Sequence, residues 1–264
     1  MRIATWNVNS LNARLPRVEE WLAQARPDIL CMQETKLSDD AFPALTFAGL
    51  GYDAVHHGEG RWNGVAVLSR VGITDVIDGF ADGGPPDGEA RLLTATCGGV
   101  RVVTVYVPNG REVGHEQYHH KLRWLGRLRA HLDAVADASG DVVVGGDFNV
   151  APDDRDVWDP TACNGGTHVS PPEREALADV TAFGVVDVLR RRYDDDGLYS
   201  WWDYQAGAFH KHWGMRIDLL LASPSLADRL SWVLVDRNAR KGQKPSDHAP
   251  LVADFADATV AAHD

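Results

Sequence analysis

The chain has 264 residues, of which 44% are hydrophobic and 24% are charged, a composition typical of a soluble globular protein. Its formal net charge of −12 argues against a protein that holds nucleic acid by bulk positive charge, although basic runs at 121–129, 190–192 and 237–244 allow a local basic patch. The aliphatic runs are too short to cross a bilayer and the N-terminus lacks a signal-peptide pattern, so we expect a cytoplasmic protein with no membrane contact.

Several segments along the chain alternate apolar with small or polar residues, which is the pattern of strands with one covered face. These predicted strands span residues 2–8, 28–34, 64–69, 91–97, 100–107, 141–149, 215–222, 231–236 and 250–255. Apolar residues at steps of three and four predict helices at 13–25 and 116–136. A third helix is predicted to begin at Ser170, where SPPE supplies an N-cap serine and places Glu173 at the capping-box position. Many strands with a few helices and no linker predict two packed sheets with helices outside them.

Two short motifs suggest chemistries that we do not favour. HEQYH at 115–119 matches the HExxH zinc pattern, but it opens a helix and no third ligand follows at a suitable distance, so we expect surface histidines. The adjacent residues Ser246, Asp247 and His248 contain the types of a Ser-His-Asp triad. Because immediate neighbours rarely face one another, we expect an acid and a base presented separately from one turn.

The segment GGDFNVAP at 145–152 ends a predicted buried strand with an acid and an amide. Strand alternation would place Asp147 and Asn149 on one face, with Phe148 turned back toward the core. The same residues are also common in turns for purely local hydrogen-bonding reasons, and this stretch alone does not decide between the two interpretations.

Carboxylates and amides recur at the ends of predicted strands, or inside one, along the whole chain. The set, with one histidine, is Asn7, Asn9, Glu34, Asp147, Asn149, Asp218, Asp247 and His248. The three cysteines are scattered and include no CxxC pair, which argues against a zinc site or a disulfide framework. Hard oxygen ligands with one histidine fit Mg²⁺ or Mn²⁺ better than zinc, and such a site suits phosphodiester hydrolysis.

Taken in order, these segments resemble the exonuclease III family of abasic-site endonucleases, within the endonuclease/exonuclease/phosphatase superfamily. The matching fragments are WNVNSLNAR, LCMQETK, NGVAVLSR, EARLLTA, VYVPNG, GGDFNVAP, SWWDYQ, GMRIDLLLAS and KPSDHAPL. The resemblance runs from residue 1 to about 256 and implies an α/β fold of the deoxyribonuclease-I-like kind, a four-layer sandwich of two mixed sheets flanked by helices. We therefore predict a single domain at 1–257 and a C-terminal tail at 258–264.

The resemblance also implies a metal site. Glu34 resembles the main metal ligand, with Asn7 and Asp247 beside the ion, and Asp147 and Asn149 are alternative ligands in a product-like state. The expected ion is Mg²⁺, with Mn²⁺ able to substitute. Asn9 stands where some relatives carry aspartate, which weakens the expectation of a second tightly bound ion.

Catalytic roles are implied in the same way. Asp147 would position and deprotonate the attacking water, and Asn149 would steady the phosphate, the two glycines before them letting backbone and substrate approach closely. His248 would donate to a nonbridging phosphate oxygen, with Asp218 orienting its ring. Tyr106 would place a hydroxyl near the phosphate or the leaving oxygen.

DNA contacts are implied around this centre. Trp201, Met215 and Ile217 resemble the walls of a pocket for a flipped sugar that has no base. The expected contacts to the DNA backbone are Lys36, Trp62, Arg91, Arg111 and Arg216. The stretch 206–214 matches no pattern, and we expect a solvated loop there, with an added DNA contact by His210, Lys211, His212 and Trp213 as the alternative.

The implied function is hydrolysis of the phosphodiester 5′ to an abasic site, with 3′-to-5′ exonuclease and 3′-phosphatase or phosphodiesterase activity. The expected partner is double-stranded DNA with abasic sites or blocked 3′ ends, bound by a monomer. One alternative is a phosphoesterase of the superfamily that acts on RNA or phosphorylated lipid, although SWWDYQ and GMRID argue against it. Another is a catalytically silent DNA-binding scaffold, which would not need all the strand-end polar residues.

Overall fold

The computed structural model describes residues 1–257, so the predicted tail at 258–264 lies outside the described residues. The strands are β1 Arg2–Asn7, β2 Ile29–Gln33, β3 Asp53–His57, β4 Val65–Ser69, β5 Thr74–Asp78, β6 Leu92–Cys97, β7 Val100–Tyr106, β8 Val142–Asp147, β9 Val186–Asp187, β10 Trp201–Trp202, β11 Gly214–Met215, β12 Asp218–Ala222, β13 Leu230–Val235 and β14 Leu251–Phe255. The helices are α1 Leu11–Ala25, α2 Ala44–Gly49, α3 Glu116–Val135, α4 Pro160–Cys163, α5 Pro171–Thr181, α6 Val188–Arg192, α7 Ala208–Lys211 and α8 Pro224–Ala227. Within residues 1–257, no helix is both long and apolar enough to span a lipid bilayer.

The strands form two mixed six-stranded sheets and one short hairpin-like pair. The order is β13-β14-β1-β2-β4-β3 in the first sheet and β5-β6-β7-β8-β12-β9 in the second. Each sheet has one parallel pair at its centre, β1 with β2 and β7 with β8, and antiparallel pairs elsewhere. The predicted fold class is therefore confirmed, and so are the predicted helices and strands, except that 215–222 is divided between β11 and β12.

Alternation along the strands divides the apolar residues among three layers of core. Ile3 lies between the two sheets, whereas its neighbour Ala4 packs under α1 with Leu22. In the second sheet, Val102 faces the inter-sheet core and Val103 packs against α3 and α5. Each sheet is thus covered on both faces, which explains why its central strands are almost wholly apolar.

The strand ends bring the polar residues to one edge. β1 ends at Asn7, Glu34 follows β2 directly, and β8 ends at Asp147. The register then places Tyr106 and Asp218 on either side of Asp147, one on β7 and the other on β12. Because these ends converge between the sheets, residues far apart in sequence form one polar centre.

The two glycines before Asp147 serve the packing of the sheets. A Cβ at Gly146 would lie 2.0 Å from the carbonyl oxygen of Val105 on the neighbouring strand. A Cβ at Gly145 would lie 2.8 Å from the side chain of Leu220. The expectation that these glycines allow close approach of the backbone is therefore confirmed at Gly146, but the expectation that they make room for substrate is wrong, because the space they leave is filled by protein.

Candidate active site

A cavity of about 180 Å³ opens at the polar edge of the sheets. Eight of the predicted site residues line it: Glu34, Tyr106, Asp147, Asn149, Trp201, Ile217, Asp247 and His248. Two further residues, Asn109 and His168, line it although the sequence patterns did not single them out. The cavity therefore collects acids, amides and two histidines against one apolar wall.

The DFN segment at 147–149 combines the two structures that its sequence left open, a strand end and a local turn. Phe148 is fully buried in the core beneath α3, as alternation predicts. Asn149, however, has a left-handed backbone with φ of 50°, and its N–H donates to Asp147 Oδ1 at 2.9 Å. Asn149 Nδ2 donates to the carbonyl of Val107 at 2.9 Å. A local turn thus aims the acid and the amide into the cavity.

Two carboxylates, one from each sheet, meet at the side chain of Asn7. Asn7 Nδ2 donates to Glu34 Oε1 at 2.8 Å and to Asp147 Oδ2 at 2.9 Å, so it bridges the two acids. Lys36 Nζ lies 2.8 Å from Glu34 Oε2 and 2.7 Å from Asn9 Oδ1. Asn7 Oδ1 accepts the N–H of Asn9 at 3.0 Å, so Asn7 would have to reverse its amide to act as an oxygen ligand.

The donor set fits a hard divalent cation. Glu34, Asp147 and His248 each offer an atom within 4.8 Å of the others, and Asp247 lines the same cavity. The carboxylates supply the hard oxygen ligands that Mg²⁺ and Mn²⁺ prefer. His248 is better suited to donating a hydrogen bond, because its other nitrogen already pairs with the Asp218 carboxylate at 2.8 Å.

Asp247 is held as an anion at the rim of the cavity. Its Oδ1 accepts from Asn9 Nδ2 at 2.8 Å and its Oδ2 from Trp201 Nε1 at 3.1 Å. Burial acts to raise the pKa of this carboxyl, but the His248 ring and these two hydrogen bonds outweigh burial and leave the pKa below its ordinary value. Asp247 therefore remains charged and available to a cation near neutral pH.

His248 is fixed by a chain of buried groups. Its Nδ1 contacts Asp218 Oδ2 at 2.8 Å, and Ser200 Oγ donates to the same oxygen at 2.7 Å. Burial acts to lower the pKa of His248, but Asp218, Asp147 and Asp247 together raise it to about 10. His248 is thus a cation whose Nε2 lies 3.8 Å from Asp147 Oδ2.

Burial raises the pKa of both Asp147 and Tyr106. Burial raises the pKa of Asp147 to about 7, although the His248 cation acts in the opposite direction. The pKa of Tyr106 is raised well above 10 by burial and by the adjacent Glu34 carboxylate. The guanidinium of Arg91 lies 4.6 Å from the Tyr106 ring centroid. Asp147 can therefore exchange a proton near neutral pH, whereas the Tyr106 hydroxyl remains a donor.

Asn109 and His168 both contact Asn149. Asn109 Nδ2 lies 3.4 Å from Asn149 Oδ1 and 3.4 Å from His168 Nε2. His168 Nδ1 lies 2.5 Å from the Asn149 carbonyl oxygen. Burial, assisted by the Lys121 cation, lowers the pKa of His168 to about 4, so the ring is neutral and its Nδ1–H donates to that carbonyl.

Behind these residues lies a buried ion pair. Lys121 Nζ contacts Glu173 Oε1 and also donates to the backbone carbonyls of Asn149 at 2.6 Å and Asn109 at 3.2 Å. Both charged side chains are fully buried. The predicted capping box at Ser170 and Glu173 is present, but Glu173 has this second contact with Lys121, which the capping pattern did not predict.

The structure contradicts the prediction that Arg216 contacts DNA. Its side chain is fully buried, and its Nε and Nη2 donate to Asp156 at 2.7 and 3.0 Å. A third contact joins Arg216 Nη1 to Asp187 Oδ2 at 2.5 Å. Arg216 therefore anchors the break between β11 and β12. Its guanidinium directs its hydrogen bonds at these two carboxylates and not at solvent, where a DNA phosphate would lie.

The other predicted DNA contacts include both exposed and buried side chains. Trp62 is 65% exposed, and Arg111 is exposed in a left-handed turn. Met215 pairs with Trp201 in the β10–β11 ladder, and Ile217 is buried beside them. The neighbouring Trp202 is fully buried, so alternation separates one wall tryptophan from one core tryptophan as predicted.

The two disfavoured motifs are explained by local contacts. His115 accepts a hydrogen bond from Gln117 N and so caps α3. Ser246 Oγ donates to the carbonyl of Asn7 at 2.7 Å, away from the ring nitrogens of His248. The hydroxyl of Ser246 therefore holds the turn together, and the adjacent residues 246–248 do not form a Ser-His-Asp triad.

Comparison with known proteins agrees with this geometry. Residues 4–248 match the model of the endonuclease/exonuclease/phosphatase family. An exodeoxyribonuclease III from Haemophilus influenzae is 31% identical over 97% of this chain and 100% of its own length. An AP endonuclease structure from Archaeoglobus fulgidus is 40% identical with a TM-score of 0.94, and a 3′ phosphatase structure from Neisseria, bound to a product DNA hairpin, is 39% identical with a TM-score of 0.93. Each alignment with these structures covers 97% of this chain and 100% of the other. The chain therefore belongs to the endonuclease/exonuclease/phosphatase family, in its exonuclease III branch.

Proposed function

We propose that this protein is a Mg²⁺-dependent DNA repair nuclease that hydrolyses the phosphodiester 5′ to abasic sites. We also propose 3′-to-5′ exonuclease and 3′-phosphatase or phosphodiesterase activity, because the relatives are named for exonuclease, AP endonuclease and 3′-phosphatase activities. The observation that carries the proposal is the convergence of Glu34, Asp147 and His248 within 4.8 Å in one cavity. That convergence supplies acids for a metal, a base for water and a cationic donor for phosphate.

The metal would be held by Glu34 and Asp247, with Asp147 as an alternative ligand. Bound Mg²⁺, or Mn²⁺ in its place, would polarise the phosphate and supply part of the charge stabilisation that the leaving oxygen needs. The protein prepares this site by keeping Asp247 ionised and by holding Glu34 between Asn7 and Lys36.

The remaining roles belong to the side chains themselves. Asp147, with its pKa near 7, can accept a proton from water close to neutral pH. His248 can donate from Nε2 to the phosphate, where negative charge develops, while Asp218 holds its Nδ1. One N–H of the Asn149 amide is bound by Val107, which leaves the other for a phosphate oxygen.

Substrate choice would depend on the apolar wall. Trp201 and Ile217 line the same cavity as the acids, and Met215 packs with them. A base-less sugar is easy to extrude from a duplex, since it has no pairing to lose, and a small apolar cavity accepts it while a full nucleotide is excluded. We further propose that residues 1–257 act as one domain and as a monomer, because one chain supplies every side chain of the site.

A gel assay on three duplexes tests the proposal: one with a synthetic abasic site, one with a nick that carries a 3′-phosphate, and one undamaged. Each is incubated with Mg²⁺, Mn²⁺ or EDTA and with wild type or Asp147→Asn. We expect metal-dependent cleavage by the wild type, and a loss of roughly 100-fold or more for the variant. A wild type that leaves all three duplexes intact would refute the DNA substrate, and phosphorylated lipid and RNA would be tested next.

A further inference from the structure

Two tryptophans that the proposed chemistry does not use are stacked on the protein surface. Trp158 follows the loop after β8, and Trp213 precedes β11. Their ring centroids are 5.0 Å apart at an interplanar angle of 30°, and each side chain remains 38% exposed. A stacked pair that keeps this much ring surface in solvent is available to a further flat partner.

The pair is held in place by its backbone and by a cation. The N–H of Trp158 donates to the carbonyl of Gly214 at 3.0 Å, which ties the two loops together. The ammonium of Lys211, an exposed residue, lies 4.2 Å from the ring centroid of Trp213. The platform formed by Trp158, Trp213 and Lys211 thus has a fixed aromatic surface with one positive charge over the ring of Trp213.

The platform is continuous with the cavity wall. Val157, which precedes Trp158, forms a β-bridge with Met215, two residues after Trp213. Val157 and Met215 belong to the same apolar cluster as Ile217 and Trp201, and the last two line the cavity. A strand of DNA that leaves the cavity on this side would therefore meet the platform next.

We propose that the platform of Trp158, Trp213 and Lys211 binds an unpaired nucleobase of the DNA substrate beside the cleavage cavity. This inference rests on the proposed function, since it requires DNA in the cavity. Aromatic faces stack on any base and favour single-stranded over paired DNA, because paired bases present only their edges. Lys211 would contact the phosphate of the same nucleotide.

A matched control exists on the same chain. Trp232 is also 38% exposed and has a cation over its ring, since the Arg2 guanidinium lies 5.8 Å from its centroid. Trp232 pairs with Asp254 on β14, and Asp254 pairs in turn with Arg2 on β1. Since β1 begins at Arg2 and ends at the site residue Asn7, Trp232 lies at the end of the strands away from the site. It is therefore at the far edge of the first sheet from the cavity.

The test measures DNA binding by fluorescence anisotropy in an Asp147→Asn background, so that the DNA stays intact. The probes are labelled hairpins that end blunt or carry a single-stranded 5′ or 3′ extension. We expect Trp158→Ala and Trp213→Ala to weaken binding of at least one extended hairpin by about tenfold and to leave the blunt hairpin within about twofold. Trp232→Ala should leave every hairpin unchanged, and thermal unfolding confirms that the variants are folded.

Two further outcomes separate the inference from the function on which it rests. Unchanged binding of both extended hairpins, or equal weakening on blunt and extended hairpins, would overturn the platform while DNA cleavage by the wild type still stood. If the wild type cuts no DNA, the proposed function fails first and the platform fails with it. A plot of log affinity for the extended hairpin against log salt concentration has a slope set by the number of phosphate contacts. Lys211→Ala should reduce this slope by roughly one contact, and an unchanged slope would show that Lys211 is not part of the platform.

Discussion

His248 Nδ1 lies 2.8 Å from Asp218 Oδ2, and both side chains are buried. The contact joins the C-terminal turn to the first residue of β12 across 30 residues of sequence. Ser200 Oγ donates to the same carboxylate oxygen, so the ring of His248 is fixed by a partner that is itself fixed. This pair determines which nitrogen of His248 faces the cavity.

Replacing Asp218 should therefore reduce catalysis without abolishing it. We expect Asp218→Asn to lower the single-turnover cleavage rate by about 10- to 100-fold, because the His248 ring loses its anionic partner and its fixed orientation. Ser200→Ala, which keeps the carboxylate, should have a smaller effect. A folded Asp218→Asn protein that cuts at the wild-type rate would show that His248 does not depend on this contact.

The dependence of activity on pH should respond to metal concentration. Asp147 must be ionised to act as base or ligand, and its pKa of about 7 predicts a rate that rises with pH through neutrality when Mg²⁺ is scarce. Because protons and metal compete for the same carboxylates, a higher Mg²⁺ concentration should shift this rise in rate, the acid limb of the pH profile, to lower pH. The limb set by His248, with a pKa of about 10, should lie far on the alkaline side. Cleavage rates at two Mg²⁺ concentrations measure this, and an acid limb that does not move would contradict it.

The parts of the site that the sequence predicted are those governed by local pattern. Asp147 and Asp218 could be placed because each ends or begins a strand whose apolar run is visible in a short segment. Asn149 does not follow strand alternation, since its left-handed φ makes a turn that the strand pattern does not contain. The acid and amide still point to one cavity, but a turn aims them.

The parts that could not be predicted depend on partners distant in sequence. Arg216 was predicted to contact a phosphate, yet its side chain is paired with Asp156, which lies 60 residues earlier. His168 lies in no recognisable motif, and its role depends on the Asn149 carbonyl 19 residues before it. No local pattern reports such pairings, because they are set by how the loops pack over the sheet edge.

The buried pair of Lys121 and Glu173 should be important for stability. Lys121→Met would leave the Glu173 carboxylate buried without its cation, and we expect a loss of about 3–5 kcal/mol in the free energy of unfolding. Arg123→Ala removes an exposed pair with Glu116 on the same helix and should change stability little. Urea unfolding of both variants makes the comparison, and equal effects would contradict the account of the buried pair.

His131 should make the fold less stable in mild acid. Its Nδ1 accepts the N–H of Ala81 at 3.0 Å and its Nε2 lies 2.8 Å from Thr94 Oγ1, so the ring is neutral. Burial, assisted by Arg101, lowers the pKa of His131 from 6.5 to about 4. Between these values the unfolded chain binds the extra proton, so stability is full above about pH 6.5 and falls as pH drops toward 4, by at most about 1.4 kcal/mol per pH unit.

The variant His131→Gln tests that assignment. Glutamine can accept from Ala81 and donate to Thr94 but does not titrate in this range, so the slope of stability against pH should become shallower by up to one proton. Denaturant unfolding from pH 4.5 to about pH 7 gives the slope. An unchanged slope would assign the acid sensitivity to other groups.

We propose that Glu34 holds the catalytic metal in the cavity shared with Asp147 and His248. The most direct measurement is a Mn²⁺ titration followed by electron paramagnetic resonance, with abasic-duplex cleavage measured in the same samples, for wild type and Glu34→Gln. We expect the variant to bind Mn²⁺ at least about tenfold more weakly and to lose cleavage in parallel, since it loses an anionic ligand. A folded variant that binds Mn²⁺ and cleaves as the wild type does would contradict the account.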